Sequence, residues 1–226
     1  MIRMIRFIRV AYTARIKDTG EIFEKTKESK PLIVGSNMLI KGLENTLQEM
    51  NAGQEKKIVI PPKEGYGERN PSLVRLVPMQ IFVKHKMTPY PGMVVSLEGL
   101  PARIQTVSGG RVRVDFNHLL AGKTLEYRIK IEKTVTSADE KIRILFEMLF
   151  PKIPSKGLKV EKKENRITIV LPKGCLALKD LQERKKALIE NIKKFLGVEN
   201  VKVIEELPME QPKTPEKLEQ GETAKI

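Results

Sequence analysis

Ile58, Val59 and Ile60 read as a strand, but they run straight into Pro61 and Pro62. Proline has no N–H to give a ladder, so a buried strand has to stop there. A few residues on, Gly65-Tyr66-Gly67 has the composition of a tight turn that presents one aromatic ring. Aromatic residues make up only 5% of the 226 and tryptophan is absent, so any aromatic cluster must draw on the few Phe and Tyr present. An aromatic ring between two glycines in a loop has less reason to be core than one on a strand or helix.

The rest of the chain alternates short strands with short helices. Residues 5–16 alternate as a strand, and Thr19-Gly20 turns into a second strand carrying Ile22 and Phe23. "PLIVGSNMLIKGLENTLQEMNAGQ" runs from strand through a Gly-Ser-Asn break into a helix. Leu39, Leu43 and Leu47 are expected on its buried face, with Gly53 as its stop. From Leu73 the texture changes. "RIQTV" and "RVRVDF" flank Ser108-Gly109-Gly110 as a hairpin, and Pro78 opens a short helix through Met79, Phe82 and Val83. This reads as a satellite of some 45 residues, too small for a large core. Leu125, Tyr127, Ile129 and Ile131 then fall on one face of a strand that fits the open sheet of the first segment.

After Thr136 the pattern restarts. Ser137 and Glu140 have capping-box spacing, and Ile142, Leu145, Phe146 and Leu149 form one helical face. Next comes a hairpin turning at Glu164-Asn165. A helix carrying Leu181, Leu188, Ile192 and Phe195 then stops at Gly197 and leads to the strand "VKVIEEL". The expected class is α+β and multidomain: 1–72 with 118–136 as one discontinuous domain, 73–117 inserted in it, an αββαβ unit over 137–207, and a disordered tail over 208–226 rich in Pro, Glu and Lys.

Net charge is +14, which raises nucleic acid as a partner, but the excess is spread along the chain where a basic footprint would cluster. The single cysteine, Cys175, lies among apolar neighbours and reads as core. The start, "MIRMIRFIRVAY", interleaves arginine with apolar residues unlike a signal peptide, and no window has the roughly 18 apolar residues of a membrane span. No membrane association and a cytoplasmic location are the expectations. His85 and His118 have no metal-ligand spacing, so neither a metal nor another cofactor is expected.

Three motifs carry a resemblance to a known family: "VAYTARIKDTGEIFEKT", "LIKGLENTLQEMNAGQEKKIVIPPKEGYG" and "VDFNHLLAGKTLEYRIKI". In that order, over residues 1 to about 135, the chain resembles the FKBP-type peptidyl-prolyl isomerases, specifically the SlyD-like subgroup and its long archaeal members. The resemblance implies an antiparallel sheet wrapped on a short helix, prolyl cis-trans isomerase (rotamase) activity, and a chaperone module inserted in the flap loop. It also implies that Tyr12, Phe23, Leu39, Ile40, Leu43, Tyr66, His118, Leu120, Leu125 and Tyr127 line a prolyl pocket, with Glu24 orienting a tyrosine. Glu24 stands where relatives have aspartate, so its longer side chain is expected to misplace the carboxylate. Leu43 stands where drug-binding members have tryptophan. The tail lacks the His and Cys with which some relatives bind nickel.

In the insert, Met79, Ile81, Phe82, Met87, Met93, Val94 and Val95 supply apolar surface for substrate chains, methionine being suited to promiscuous contact. The expected partners are unfolded or partly folded polypeptides, with the ribosome a further candidate. Two readings compete: a prolyl isomerase with an attached chaperone, and a non-catalytic holdase or ribosome-associated protein using the insert and its basic surface. The amphipathic helices of the C-terminal unit leave docking on the isomerase domain open, with a core of its own and homodimerisation as the expectation.

Overall fold

The computed structural model describes residues 4–206. The expected disordered tail, 208–226, lies outside them. The chain divides into two compact units between Ser137 and Ala138.

The first unit is built on β1 (Arg6–Ile16), β2 (Ile22–Lys25), β3 (Lys30–Val34), α1 (Lys41–Glu49), β4 (Glu55–Ile60) and β9 (Leu125–Val135). β9 lies between β1 and β4 and pairs antiparallel with both, while β2 and β3 follow one another along the far edge of β1. Period-two alternation puts Ile8, Val10, Tyr12 and Ala14 of β1, and Leu125, Tyr127, Ile129 and Ile131 of β9, on one buried face. Leu43 and Leu47 of α1 pack against them. The open C-terminal carbonyls of α1 are met from the sheet: the Arg6 guanidinium donates to Leu47, Gln48 and Met50 at 2.9–3.1 Å.

Two local expectations need correction. Leu39 precedes α1, because the helix begins at Lys41 with Ile40 extended at its N-cap. Gly53 does not stop the helix, which ends at Glu49. Gly53 instead makes the turn into β4 at φ +86°, its N–H donating to the Ile131 carbonyl at 2.7 Å.

Between β4 and β9 the chain forms a separate antiparallel sheet of β5 (Val74–Pro78), β6 (Val94–Leu97), β7 (Leu100–Ser108) and β8 (Arg111–Asp115), in the order β5-β8-β7-β6. A short helix, α2 (Met79–Lys84), comes directly after β5. Gly109 and Gly110 both have positive φ, as the tight hairpin between β7 and β8 requires. The core is Phe82, Val95, Leu97, Ala102, Ile104, Val112 and Val114.

The two crossings into this insert are tied together by side chains. Asp115 accepts from Arg69, from Gln105 at 3.1 Å, and from the Asn117 backbone and amide at 3.0 and 2.7 Å. Asn117 exchanges two further bonds with the Asn70 backbone, at 2.8 and 2.9 Å. Burial works against the Asp115 charge, but the Asn117 bonds, the Arg69 cation and Gln105 outweigh it and hold the carboxyl below the usual carboxylate range. A carboxylate whose pKa is lowered by folding contributes stability above its unfolded value, and loses it as pH falls through the folded one. Asp115→Asn is therefore expected to cost about 1.5–3 kcal/mol of stability at pH 7, the worth of bonds to a charged group, and so to lower the urea midpoint. It should also flatten the loss of stability that wild type shows below about pH 4. Circular dichroism at pH 7 and pH 3 measures both; equal midpoints at pH 7 would remove Asp115 as the clasp.

The second unit has α3 (Ala138–Leu149), β10 (Lys159–Lys163), β11 (Arg166–Leu171), α4 (Leu181–Leu196) and β12 (Asn200–Glu205). β10 and β11 form the hairpin, and α4 is the crossover that lets β12 pair parallel with β11. α4 closes on Gly197 at φ +68°, a left-handed C-cap. Ile144 is buried together with Ile142, Leu145 and Phe146, whereas Leu149 is half-buried. Cys175 is fully buried, which pushes its thiol pKa up. Among the described residues no helix is long and apolar enough to cross a membrane.

Candidate active site

The inner face of β1 and β9 supplies the floor of the site. Tyr12, Leu43, Leu125 and Tyr127 are buried in one cluster, and Phe23, Leu39, Ile40, Tyr66 and Leu120 pack half-buried on the same cluster. These residues come from β1, β2, the segment before α1, α1 itself, the loop after β4, the loop before β9, and β9. The Tyr12 and Tyr127 ring centroids are 6.0 Å apart, and Phe23 meets Tyr127 edge-on, also at 6.0 Å.

Tyr66 owes its position to the prolines before it. Pro62 begins a single 3₁₀ turn over Pro62–Glu64, and the Gly65 and Gly67 amides both donate back to the Pro62 carbonyl. This aims the Tyr66 ring at His118, on which it stacks at 4.1 Å and 4°. His118 is exposed, and its Nδ1 accepts from the Leu120 N–H at 3.1 Å, which fixes the Nε2–H tautomer.

Glu24 departs from expectation. Its carboxylate meets Tyr12, whose hydroxyl donates to Oε1 at 2.5 Å. Lys30 holds the same oxygen at 2.7 Å and lies 3.2 Å from the Tyr12 hydroxyl, so the extra methylene costs the pair nothing in contact. Burial opposes the Glu24 charge, but the Lys30 and Tyr12 hydrogen bonds and the Lys30 cation prevail, and its pKa lies below the usual range. Tyr12 and Tyr127 go the other way. Burial first, and then neighbouring acidic groups, push both phenols well above their ordinary value, so both remain neutral donors.

Sequence reasoning passed over Glu44. It is 1% exposed, on α1, and Oε1 accepts the Gly35 N–H at the start of the segment that carries Leu39 and Ile40. Gly35 sits at φ +89°, and a Cβ there would stand 2.7 Å from the Met4 carbonyl oxygen, so the turn needs glycine. Position in sequence carried the signal: a carboxylate in the first turn of the helix that follows a Gly-Ser-Asn break can reach back to its free amides.

The substrate-binding residues expected in the insert divide. Phe82 and Val95 are core, and this corrects their assignment: a sheet of four short strands has little else to bury. Met79, Met87 and Met93 are half-buried against that core, while Ile81 and Val94 are exposed. Among the described residues no group of three or more His, Cys, Asp or Glu side chains is placed to hold a metal ion.

An antiparallel sheet folded over a short helix, with a half-buried aromatic and aliphatic cluster between them, is the frame to which relatives can be compared. Comparison gives the class its name. A family model described as the IF domain of FKBP26 matches residues 75–120, and one described as the FKBP26 C-terminal domain matches residues 138–208. The chain is 37% identical over 123 residues to the short-type peptidyl-prolyl cis-trans isomerase of Methanocaldococcus jannaschii, covering 54% of this chain and 78% of that protein. It is 31% identical over 128 residues to the FKBP-type isomerase SlyD of Helicobacter pylori, covering 54% and 69%. With SlyD of Vibrio cholerae it shares 32% over 138 residues, covering 59% and 68%. The chain belongs to the FKBP-type, SlyD-like peptidyl-prolyl cis-trans isomerases and is an enzyme of that class.

Proposed function

We propose that the hollow accelerates X-Pro isomerisation in unfolded or partly folded chains by sheltering the twisted amide from water, and that the insert holds those chains as a chaperone. Residues 1–72 and 118–136 make up the catalytic domain in this reading, residues 73–117 the holder, and 137–207 a further domain. The observation that carries it is the convergence of Tyr12, Phe23, Leu39, Leu43, Leu125 and Tyr127 on one apolar cluster with a half-buried rim.

The barrier to rotation, about 18–20 kcal/mol, is amide resonance. Twisting breaks the resonance, so the carbonyl loses charge separation and the nitrogen regains its lone pair. A water-poor apolar cradle then disfavours the planar, more polar ground state relative to the twisted one. Removing about 4 kcal/mol gives roughly a thousandfold acceleration. No proton leaves and no covalent bond forms. Phe23, Leu39, Leu43 and Tyr127 enclose the prolyl ring; the Tyr66 hydroxyl and the Ile40 N–H take substrate carbonyls; Tyr12, held by Glu24, and His118 shape the wall.

The insert's exposed apolar side chains support the holding role. A groove of about 420 Å³ is lined by Leu73, Val94, Leu100, Phe116 and Leu119. Val94 and Leu100 are 60% and 55% exposed, unusual for large aliphatics on a small sheet. His118 lines the same groove and stacks on Tyr66, so one extended chain can lie in the groove and offer a proline to the hollow.

Tyr66→Phe tests the pocket's polar contact. With the hydroxyl gone, kcat/KM on an Ala-Leu-Pro-Phe peptide is expected to fall about five- to tenfold, the worth of one hydrogen bond near 1–1.4 kcal/mol. An unchanged value would show that Tyr66 touches substrate through its ring alone.

A further inference from the structure

Charges that are far apart in sequence meet on the solvent face of the isomerase sheet, opposite the aromatic hollow. Strand register sets Lys25 of β2 beside Thr13 of β1, Thr13 beside Arg128 of β9, and Arg128 beside Lys57 of β4. With strands about 4.8 Å apart, the row spans about 14 Å. Two adjoining hollows of about 650 and 330 Å³ run along it, sharing Thr13, Glu55 and Arg128, and bring in Arg15 and Lys130.

Five cations therefore line the face against two carboxylates, Glu55 and Glu126, a surplus of three positive charges. Both carboxylates are already engaged. Glu126 holds Arg15 and Lys57, the latter at 3.1 Å, and Glu55 holds Arg128. Like charges directly opposite on neighbouring strands disfavour the sheet, and here Arg128 and Lys57 face each other with side chains 74% and 61% exposed. With Arg128 held by Glu55 and Lys57 by Glu126, the surplus of three charges on the face is what a line of anions would meet.

We infer that this face is a docking surface for the phosphodiester backbone of RNA. Long flexible cations in a shallow open trough suit a backbone of repeated single charges, and the contacts are to phosphate, which makes them independent of base sequence. The buried face of the same strands carries the prolyl hollow, so RNA binding leaves it open to peptide.

The test is fluorescence anisotropy of the full chain with a labelled 20-nucleotide uridine oligomer between 50 and 300 mM KCl. If four phosphates are neutralised, log affinity against log salt has a slope of about −2.8. Lys25→Glu with Lys130→Glu is expected to weaken binding at 50 mM KCl at least tenfold, and to bring the slope to about −1.4 with two contacts gone. The same variant should isomerise the tetrapeptide at the wild-type rate, which shows it folded. Lys162→Glu with Lys163→Glu, an equal charge change in the second unit, should bind RNA as wild type does. The inference is overturned if wild type shows no saturable binding at 50 mM KCl, if the Lys162/Lys163 variant loses binding instead, or if polyglutamate of equal length binds as tightly.

Discussion

Phe23→Ala is expected to lower kcat/KM on the Ala-Leu-Pro-Phe peptide by about 30- to 150-fold. Phe23 stands half-buried on the four-residue edge strand β2, with its ring edge-on to Tyr127 and packed on the cluster proposed to bind proline. Truncating a phenylalanine removes about 2–3 kcal/mol of apolar enclosure, and each 1.36 kcal/mol is tenfold in rate. The loss should appear in kcat as well as in KM, because the missing wall admits water to the twisted amide and not merely to the bound proline. Glu24 and Lys30 still hold Tyr12, so the urea midpoint should move little. A protease-coupled isomerisation assay across a range of peptide concentrations separates the two constants. A variant as active as wild type would exclude this hollow as the catalytic one.

The second large effect belongs to the insert. Joining Ser72 to His118 through a short turn, with 73–117 removed, is sterically simple because Val74 pairs with Asp115 and Asn70 with Asn117. On the tetrapeptide such a protein should keep its kcat/KM within about twofold, since a ligand that short gains nothing from a second binding site. On an unfolded protein whose refolding waits on proline isomerisation, catalysis should fall by about a hundredfold, the low end of what tethering a substrate beside a second site contributes. Equal refolding catalysis with and without the insert would leave the groove beside His118 without a role in holding clients.

The parts of this fold that repeat with period two were legible in the sequence. Tyr127 and Leu125 fall on a buried face by alternation alone, and Gly109-Gly110 announces its hairpin. Contacts between side chains far apart in sequence were not. Nothing local says that Tyr66 will lie flat on His118, or that Lys30 will reach across to the Glu24 carboxylate and keep it on Tyr12. Phe82 and Val95 were misplaced for a related reason: composition says that a small domain is rich in apolar side chains, but only the sheet decides which of them face inward. Glu44 was hidden by a rule that holds on average, since helix carboxylates are mostly solvated. Charge misled in the same way. Spread evenly along the chain, Arg15, Lys25, Lys57 and Arg128 gave no cluster until four strands aligned them.

The placement of β9 bears on how the molecule is born. It pairs with β1 at residues as distant as Phe7 and Val135, 128 positions apart along the chain, and without it β1 and β4 have no common neighbour. The strands β5 to β8, by contrast, pair only among themselves. Translation proceeds from the N terminus at about 5–20 residues per second, so the guest can close its sheet while the host still waits for its central strand. A prolyl isomerase thus spends about one to four seconds of its own synthesis as an open host sheet carrying a closed insert.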